Sequence, residues 1–384
     1  MTPPAEGGVL TSLATERDWI GYSPRNYNPN GGQFPSEASM RADLEQLYNA
    51  GWRQLYTYTL DNTLRHAPRI AKEVGFETVL AGVFYFDQAQ LDREKTAALA
   101  EDQHIDGYIV GNEGIAFGRH SRQDLDAAVS FFEGFGKPIT TTEVGGLYFG
   151  DPTLIDVGDF AFVNIQPWFN GSLNPFDPVG MAQAVRNELV AIQQLRPDRM
   201  VVIKEAWWPS AGHPAATPSN QTAFYQALAN LTDLRGDPIL FAWGESYDQN
   251  WKNEPGPFSG AIGPHWGLYE ENGAPKQIVA GLASTYTGAV PVNFTIGDYD
   301  RDGDVDAADY AEWRSTFGDE PGIPGAAGDG NFDVAVDAAD YTLWRDALAA
   351  ANPAQGGVTG VPEPTAIVLA AAVIASAACG RRVA

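Results

Sequence analysis

The stretch I-D-G-Y-I-V-G-N-E, residues 105–113, is a short apolar run that ends in an amide and a carboxylate. Its β-branched and aromatic side chains are typical of a strand that is buried on both faces. An acidic side chain at the end of such a strand is costly unless it faces a polar cavity or an ionic partner. The position of Glu113 therefore suggests that a functional cleft lies at the end of this strand.

Seven further apolar segments of this kind alternate with amphipathic segments along the first three quarters of the chain. The amphipathic pattern predicts helices over residues 35–50, 62–74, 88–101 and 122–135. Eight buried strands that alternate with helices predict an α/β protein with a parallel sheet, and eight such units close a (β/α)8 TIM barrel. We place this barrel at residues 16–288.

An open, doubly wound sheet is the alternative α/β topology. Its signature would be a G-x-G-x-x-G motif directly after the first strand, where the phosphates of a dinucleotide bind. The first strand candidate, D-W-I-G-Y-S at residues 18–23, runs instead into a loop rich in Pro and Asn. The sequence therefore favours the barrel, and we expect no cofactor for catalysis.

The composition narrows the classes of ligand. The formal net charge of -25 argues against binding of nucleic acid, because that binding depends on Lys and Arg neutralising phosphates. The 10 Trp side chains point instead to ligands with flat apolar faces, such as sugars. Cys379 is the only cysteine, so neither a disulfide framework nor a thiolate metal site can form within the chain.

Two carboxylates stand at predicted strand ends, where the chemistry of TIM barrels takes place. Glu113 ends the fourth strand, and Glu205, in V-V-I-K-E-A-W-W, ends the seventh. Glycoside hydrolysis needs such a pair, one acid to protonate the leaving oxygen and one carboxylate to act at the anomeric carbon. The alternative is that both glutamates only form ion pairs with cations such as Lys204 or Arg53. Asn112, beside the first acid, could bind a sugar hydroxyl or simply form a turn.

Five segments in the same order resemble glycoside hydrolase family 17. They are V-G-N-E at 110–113, N-I-Q-P-W-F-N-G at 164–171, K-E-A-W-W-P-S-A-G at 204–212, H-W-G-L-Y at 265–269 and N-G-A-P-K at 272–276. The resemblance implies a (β/α)8 barrel that cleaves β-1,3-glucans with retention of configuration or transfers glucanosyl groups. It also implies that Glu113 is the acid/base and Glu205 the nucleophile. Trp207 departs from the family pattern, which commonly has glycine at this position, so we expect it to reshape the subsite beside Glu205.

Aromatic and polar side chains near the strand ends are candidates to bind the sugar, because aromatic rings stack on its apolar faces. The predicted substrate-binding residues are Asn112, Tyr56, Tyr58, Trp168, Trp208, Trp243, Glu245, Trp251 and Lys252. We expect Trp208 and Trp251 to make the closest sugar contacts. The alternative is that half of these rings fill the layer beneath the site. Glu143, at the end of the fifth strand, could either support the site or form part of the rim.

A repeat rich in Asp begins at residue 298 and again at residue 329. Oxygen-bearing side chains fall at positions 1, 3, 5, 9 and 12 of each copy, which is the spacing of a helix-flanked Ca2+ loop. The predicted ligands are Asp298, Asp300, Asp302, Asp304, Asp306, Asp309, Asp329, Asn331, Asp333, Asp337 and Asp340. Asp304 is included because it lies in the same acidic run, although it is not at one of these five positions. The first copy has Gly303 at the sharp turn, but the second has Val334 there, so we expect weaker binding at the second loop. The alternative is a solvated acidic linker.

The two loops and the A-A-D-Y-x-x-W-R segments that follow them resemble a type I dockerin, which we assign to residues 289–352. This resemblance implies folding that depends on Ca2+ and a cohesin-like protein partner. Residues 353–384 hold a Pro/Gly/Ala linker, the motif V-P-E-P, an apolar run and Arg381-Arg382, and they resemble a PEP-CTERM sorting signal. That signal implies export and attachment to the cell surface or envelope.

The start of the sequence gives the opposite indication. No basic segment followed by an apolar one is visible there, so no N-terminal signal peptide is apparent, and we expect residues 1–15 to be disordered. We give more weight to the tail. The sequence thus predicts a surface-associated, retaining β-1,3-glucan hydrolase. A β-1,3-glucanosyltransferase and a non-catalytic glucan-binding module displayed on the cell surface are the alternatives.

Overall fold

The structure is a computed structural model that describes residues 8–253, 261–281, 297–300, 304–321, 325–331 and 333–351. These residues divide into two compact units, the first formed mainly before residue 295 and the second mainly after it. Asp302 and the whole C-terminal tail lie outside the described residues, so the predictions made for them stay predictions. Within the described part, no helix is long and apolar enough to cross a membrane.

Parallel strands form the centre of the first unit. They are β1 (Trp19–Gly21), β2 (Gln54–Tyr56), β3 (Thr78–Val83), β4 (Gly107–Asn112), β5 (Ile139–Thr142), β6 (Ala161–Asn164) and β7 (Val201–Glu205). One sheet has the order β1-β2-β3-β4-β5, and β6 pairs with β7 in a second sheet. All strand residues except Asn112 are buried, as expected for parallel strands covered on both faces. The predicted α/β class and the parallel sheet are therefore confirmed.

The eighth predicted strand, residues 238–245, makes single bridges in place of a continuous ladder. Phe241 bridges to Ile203 of β7, and Trp243 bridges to Ile20 of β1, both in parallel orientation. The Trp243 N–H donates to the Trp19 carbonyl at 2.9 Å. The segment thus contacts both outer strands, while closure of the whole sheet into a barrel stays a prediction.

Helices of the first unit follow most of the strands. They are α1 (Gly8–Thr15), α2 (Glu37–Asn49), α3 (Ala67–Val74), α4 (Gln88–Glu101), α5 (Arg122–Glu133), α6 (Gly145–Gly150), α7 (Pro178–Leu195), α8 (Pro218–Ala229) and α9 (Gln277–Gly281). The bounds of α4 are those predicted from the sequence. The helix predicted over residues 62–74 begins as a 3-10 helix at Asn62–His66 and continues as α3. A capping box of Ser121 and Asp124 starts α5.

Two apolar clusters form the core of this unit because successive strand residues point to opposite faces. The larger cluster packs the helices against the sheet. The smaller one consists of Val9, Leu13, Trp19, Tyr56, Leu80, Ile109, Phe160, Phe162, Met200, Val202 and Ala242. Its members Val9 and Leu13, only 3% and 1% exposed, belong to α1. The expected disorder of the N-terminus is therefore wrong for Gly8–Thr15, where apolar side chains four residues apart bury one face of a helix.

The second unit contains α10 (Ala307–Thr316) and α11 (Ala338–Ala351), one after each acidic loop. The Trp313 Nε1–H donates to the Asp337 carbonyl at 2.8 Å. The Trp344 Nε1–H donates to the Asp306 carbonyl at the same distance. Each copy of the repeat thus binds the start of the other copy's helix, so the sequence repeat is also a structural one.

Candidate active site

Both candidate catalytic glutamates follow a β-bulge. Between paired positions, β4 has one more residue than β5, since Ile109 pairs with Thr140 and Asn112 with Thr142. In the same way β7 has one more residue than β6, next to Glu205. A bulge turns the side chains that follow it to a new direction. The strand ends therefore do not continue the simple alternation that a sequence pattern assumes.

The backbone at Glu113 has the left-handed conformation, with φ of 54°. A residue other than glycine adopts this conformation only where its surroundings hold it. The Glu113 N–H donates to the Thr142 carbonyl at 2.8 Å. The carboxylate of Glu143 accepts from the N–H groups of Ile115 at 2.8 Å and Ala116 at 3.2 Å. Glu143, whose role the sequence left open, thus fixes the turn that carries Glu113.

The Glu113 carboxyl group is only 3% exposed and accepts a hydrogen bond at Oε1 from Asn164 Nδ2 at 2.9 Å. The Thr142 hydroxyl donates to Asn164 Oδ1 at 3.1 Å, which sets the direction of the amide. Burial, followed by the negative charge of Glu205, raises the pKa of Glu113 to about 7. Glu113 therefore retains a proton close to neutral pH, as a general acid requires.

The Glu205 carboxylate forms an ion pair with Lys204, whose Nζ donates to Oε1 at 2.6 Å. The same Nζ donates to Asn112 Oδ1 at 2.7 Å. The ion pair between Lys204 and Glu205, which the sequence offered as an alternative to a catalytic role, is therefore present. It lies at the cleft, and Lys204 also contacts Asn112 at the end of β4. Arg53, the other cation considered, donates to backbone carbonyls, including that of Tyr48.

One cleft of the first unit brings the predicted groups together. Both glutamates line it together with five of the predicted substrate-binding residues, which are Asn112, Tyr58, Glu245, Trp251 and Lys252. Lys252 Nζ contacts Glu245 Oε1. The Trp251 Nε1–H donates to Gln249 Oε1 at 2.9 Å, and its ring meets that of Tyr27 edge to face. Two carboxylates, amides and aromatic rings in one cleft suit recognition of a neutral, polyhydroxylated chain.

Four predicted substrate-binding residues are not among those that line this cleft. Trp208 and Trp243 are fully buried in the cluster between helices and sheet, where Trp208 packs against Phe224 of α8. Trp168 packs on Trp208 with 5.0 Å between ring centroids. Tyr56 lies in the smaller core cluster, with its hydroxyl 3.2 Å from that of Tyr58. The predictions for Trp208, Trp243 and Tyr56 are corrected, because each ring is buried among core side chains, whereas that for half-buried Trp168 stays a prediction.

Other cleft residues were not predicted from the sequence. They include Tyr22, Tyr27, Phe84, Tyr85, Gln166, Phe169, Gln249 and Trp266. Trp207, which the sequence analysis places at the subsite beside Glu205, also lines the cleft. Gln166 and Trp266 fall in segments of the family resemblance, so that signal could have identified them. Trp207 is held in place, because its N–H donates to Gln166 Oε1 at 3.2 Å and its ring packs against Gly244. Phe169, which is 56% exposed, lies in the same segment of the resemblance as Gln166.

The acidic loops of the second unit form a separate candidate site. Among the described residues, carboxylate oxygens of Asp298, Asp300 and Asp309 lie within 4.8 Å of one another. This donor set suits Ca2+, which prefers several carboxylate oxygens. Asp306 instead caps α10 by accepting from the Ala308 N–H at 2.6 Å.

The second loop repeats the backbone pattern of the first. Asp309 accepts hydrogen bonds from the N–H groups of Tyr299, Asp300 and Asp306 at 2.6 to 3.1 Å. Asp340 accepts from the matching groups of Gly330, Asn331 and Asp337 at 2.8 to 3.1 Å. Asp337 caps its helix as Asp306 does, and Asp333 accepts from the Ala335 N–H. The remaining predicted ligands in the described part, Asp304 and Asp329, do not join the group of three carboxylates.

A parallel α/β sheet with two acids at strand ends and an aromatic cleft is an arrangement that suits glycoside hydrolysis. Residues 20–267 match the family described as the BtgE/BtgC glycoside hydrolase domain. This match covers more than half of the chain, and the chain belongs to that family. The class predicted from the sequence is therefore confirmed.

Known proteins with related sequences or folds agree with this class. The chain is 26% identical over 261 residues to a probable beta-glucosidase btgE of Aspergillus fumigatus, covering 64% of this chain and 44% of that relative. It thus spans less than half of that relative's length. A family 17 β-1,3-glucanosyltransferase from Rhizomucor miehei has the same fold, with a TM-score of 0.53, 20% identity, and coverage of 68% of this chain and 97% of that one. An endo-laminarinase from Formosa gives a TM-score of 0.56 and 16% identity, with coverage of 71% and 89%.

Proposed function

We propose that the first unit is a retaining glycoside hydrolase that cleaves β-1,3-glucan of the laminarin type, and that its sheet closes into a (β/α)8 barrel. The observation that carries the proposal is the pairing of Glu113 and Glu205 at one cleft, with different electrostatic surroundings. Burial raises the pKa of Glu113 to about 7, whereas Glu205 has an ammonium group 2.6 Å away. Two carboxyl groups in such different environments suit one acid and one nucleophile.

In the first step Glu113 donates its proton to the glycosidic oxygen while the bond from that oxygen to the anomeric carbon breaks. The Glu205 carboxylate attacks the anomeric carbon and forms a glycosyl ester. In the second step Glu113 accepts a proton from water, the water oxygen bonds to the anomeric carbon, and the ester bond to Glu205 breaks. Configuration is retained because the anomeric carbon is inverted twice.

Aromatic residues of the cleft support a glucan as the substrate. Tyr58 and Trp251 are half-buried and can stack on glucose rings, while Glu245 and Lys252 can bind hydroxyl groups. The likeness of the fold to a laminarinase and a β-1,3-glucanosyltransferase supports the β-1,3 linkage. Endo action on internal linkages is part of the proposal.

The proposed function is tested by incubating the protein with reduced laminarin oligosaccharides and following the products by NMR and mass. Release of the β-anomer before mutarotation supports retention, and the α-anomer would contradict it. Products longer than the substrate would show that sugar intercepts the glycosyl ester in place of water, which is the transferase alternative. If the protein binds laminarin but Glu113→Gln and Glu205→Gln leave every measured rate unchanged, the non-catalytic binding module is the correct function.

For the second unit we propose that Asp298, Asp300 and Asp309, together with Asp302, hold Ca2+, and that the second loop holds another ion. The distances among the three described carboxylates support this assignment. Bound Ca2+ would neutralise mutually repelling carboxylates and fix the loop before each helix. A dockerin-like surface for a cohesin-like protein is part of this proposal. Calorimetric titration with Ca2+ tests the sites, and retention on an immobilised cohesin in Ca2+ but not in chelator tests the partner.

We also propose that the C-terminal tail directs the protein to the cell surface or to secretion. The support is the sequence of the tail, which lies outside the described residues. Fractionation of cells that express the chain with and without residues 361–384 tests this proposal. Equal distributions of the two forms would contradict it.

A further inference from the structure

Lys204 is a buried cation between the two candidate catalytic strands. Its side chain is 1% exposed, and its Nζ lies 4.6 Å from the ring centroid of Tyr58 and 5.0 Å from that of Tyr56. Tyr56 belongs to the smaller core cluster, so the ammonium group lies at the edge of that cluster. A buried ammonium is costly unless hydrogen-bonded acceptors compensate it, so its two contacts determine where it lies.

The two acceptors of Lys204 belong to different strands of the site. Its Nζ donates to Glu205 Oε1 at the end of β7 and to Asn112 Oδ1 at the end of β4. The structure gives no hydrogen bond from a described residue to the other oxygen of Glu205, Oε2. Because Lys204 can only donate, it also requires the oxygen of the Asn112 amide to face it, and this leaves the Asn112 NH2 group as a donor.

We propose that Lys204 is the positioning residue that aligns the nucleophile, by holding Glu205 Oε1 so that Oε2 faces the anomeric carbon. The same ammonium turns the Asn112 NH2 group toward a hydroxyl of the reacting sugar. One side chain thus connects the strand of the acid to the strand of the nucleophile. The inference rests on the proposed function, since it assigns Glu205 as the nucleophile.

The rate of covalent labelling tests this role. An activated 2-deoxy-2-fluoro-β-glucosyl donor with a good leaving group forms the glycosyl ester without help from an acid and releases it slowly, so labelling reports on the nucleophile alone. In Lys204→Met the apolar chain can still pack against the rings of Tyr56 and Tyr58, but Glu205 loses its fixed orientation. We expect labelling, followed by intact mass, to be about 100-fold slower, because a small misplacement of a reacting group can cost that factor.

Lys276→Met is the matched control. The side chain of Lys276 is 2% exposed, and its Nζ donates to Asp248 Oδ1 at 2.6 Å, the same distance as from Lys204 Nζ to Glu205 Oε1. Lys276 and Asp248 thus form a second buried ion pair, and neither residue lines the cleft. It should lose thermal stability as Lys204→Met does but be labelled at the wild-type rate. If Lys204→Met does not fold, Lys204→Gln, which lacks the charge, is measured in the same way.

The pH profile gives a second readout, which reports on the charge of Lys204 beside the acid. The pKa of Glu113 is raised by burial and by Glu205, and it is lowered by the hydrogen bond from Asn164 and by the charge of Lys204. The other charged groups that act on Glu113 are Glu143 after β5 and Arg119 after β4. Removal of the Lys204 charge should move the basic limb of kcat/KM to higher pH.

The outcomes separate this role from the proposed function. Labelling of folded Lys204→Met within threefold of the wild-type rate would overturn the role of Lys204 while leaving the mechanism intact. A wild-type protein that the reagent does not label, or labels at a residue other than Glu205, would contradict the assignment of Glu205 itself. Slow labelling of Lys204→Met beside normal labelling of Lys276→Met is the expected result.

Discussion

Glu113 shows how several residues act on the chemistry of one carboxyl group. Its left-handed backbone is held by the strand neighbour Thr142 and by Glu143, which binds the turn that follows. Its side chain is held by Asn164. Strained backbone at a residue that is fixed by its neighbours is a common feature of functional sites. The consequences can be measured at single residues.

Glu113→Gln should lower kcat/KM on laminarin oligosaccharides by about 100- to 10,000-fold, the usual contribution of a general acid. In the wild-type protein only protonated Glu113 can donate, so activity should fall as pH rises through about 7. The variant should lack this basic limb. Initial rates across pH 5 to 9 test the prediction, with an aryl glycoside that needs little acid assistance as the control substrate. A basic limb that persists in the variant would assign it to another group.

Trp251→Phe and Trp208→Phe make the same chemical change inside and outside the cleft. Trp251 lines the cleft, whereas Trp208 is fully buried in the core. We expect Trp251→Phe to raise KM about tenfold through loss of aromatic contact area, with kcat less affected. Trp208→Phe should lower thermal stability and leave KM unchanged. Equal KM values for both variants would contradict the position of Trp251 in the substrate site.

At the scale of elements, the two acidic loops are copies that differ at one turn. Asp309 and Asp340 receive matching backbone hydrogen bonds, so the loops present the same framework. Val334 has φ of 61°, in the left-handed region that a β-branched residue resists and glycine adopts readily. The backbone of Val334 thus supports the expectation from the sequence that the second loop binds Ca2+ more weakly than the first.

Val334→Gly should strengthen Ca2+ binding at the second loop by about five- to tenfold, because relief of such strain is worth on the order of 1 kcal/mol. The first loop should be unaffected. Calorimetric titration of the full chain should show two binding events, of which only the weaker one changes. Val305→Ala, a substitution in the first loop outside the predicted ligand positions, serves as a control for general loosening of the unit. Two equal events in the wild-type protein would refute the assignment.

At the scale of the whole molecule, negative charge and buried carboxyl groups make stability depend on pH. The formal net charge is -25. Burial, with Glu16 nearby, raises the pKa of Asp18 to about 7, and burial with Glu205 nearby raises that of Glu113 to about 7. Between the ordinary carboxyl pKa and about 7, the folded protein therefore binds more protons than the unfolded chain does.

The sign of this difference predicts that the protein becomes less stable as pH rises through about 7. Within that window each of the two groups lowers the free energy of unfolding by at most about 1.4 kcal/mol for each unit of increase in pH. We therefore expect Tm to be several degrees higher at pH 6 than at pH 8. Calorimetry at fixed ionic strength measures the change. The double variant Asp18→Asn with Glu113→Gln should weaken this dependence without abolishing it, because burial also raises the pKa of Glu94 and of Asp248 to about 7. A Tm that rises from pH 6 to pH 8 would show that other groups dominate.

The sequence alone determined the α/β class, the bounds of α4 and the strand ends that carry Glu113 and Glu205, because these depend on local periodicity and on where apolar runs stop. The sequence also proposed Glu245, Trp251 and Lys252, which follow the eighth predicted strand and line the cleft. Only the tertiary structure decided which rings face the cleft. The bulge beside Glu205 changes which of the following positions face the cleft, and here Trp207 lines the cleft while Trp208 lies in the core.

The link from Lys204 to Asn112 was likewise decided by the tertiary structure. It joins two strands that are far apart in sequence, and no local pattern reports such a distance. The helix Gly8–Thr15 has the same explanation, since it owes its order to core side chains of distant strands. Local side-chain patterns thus predicted the strands and helices and the polar residues at the strand ends. Contacts between residues distant in sequence determined which of these polar residues interact in the site.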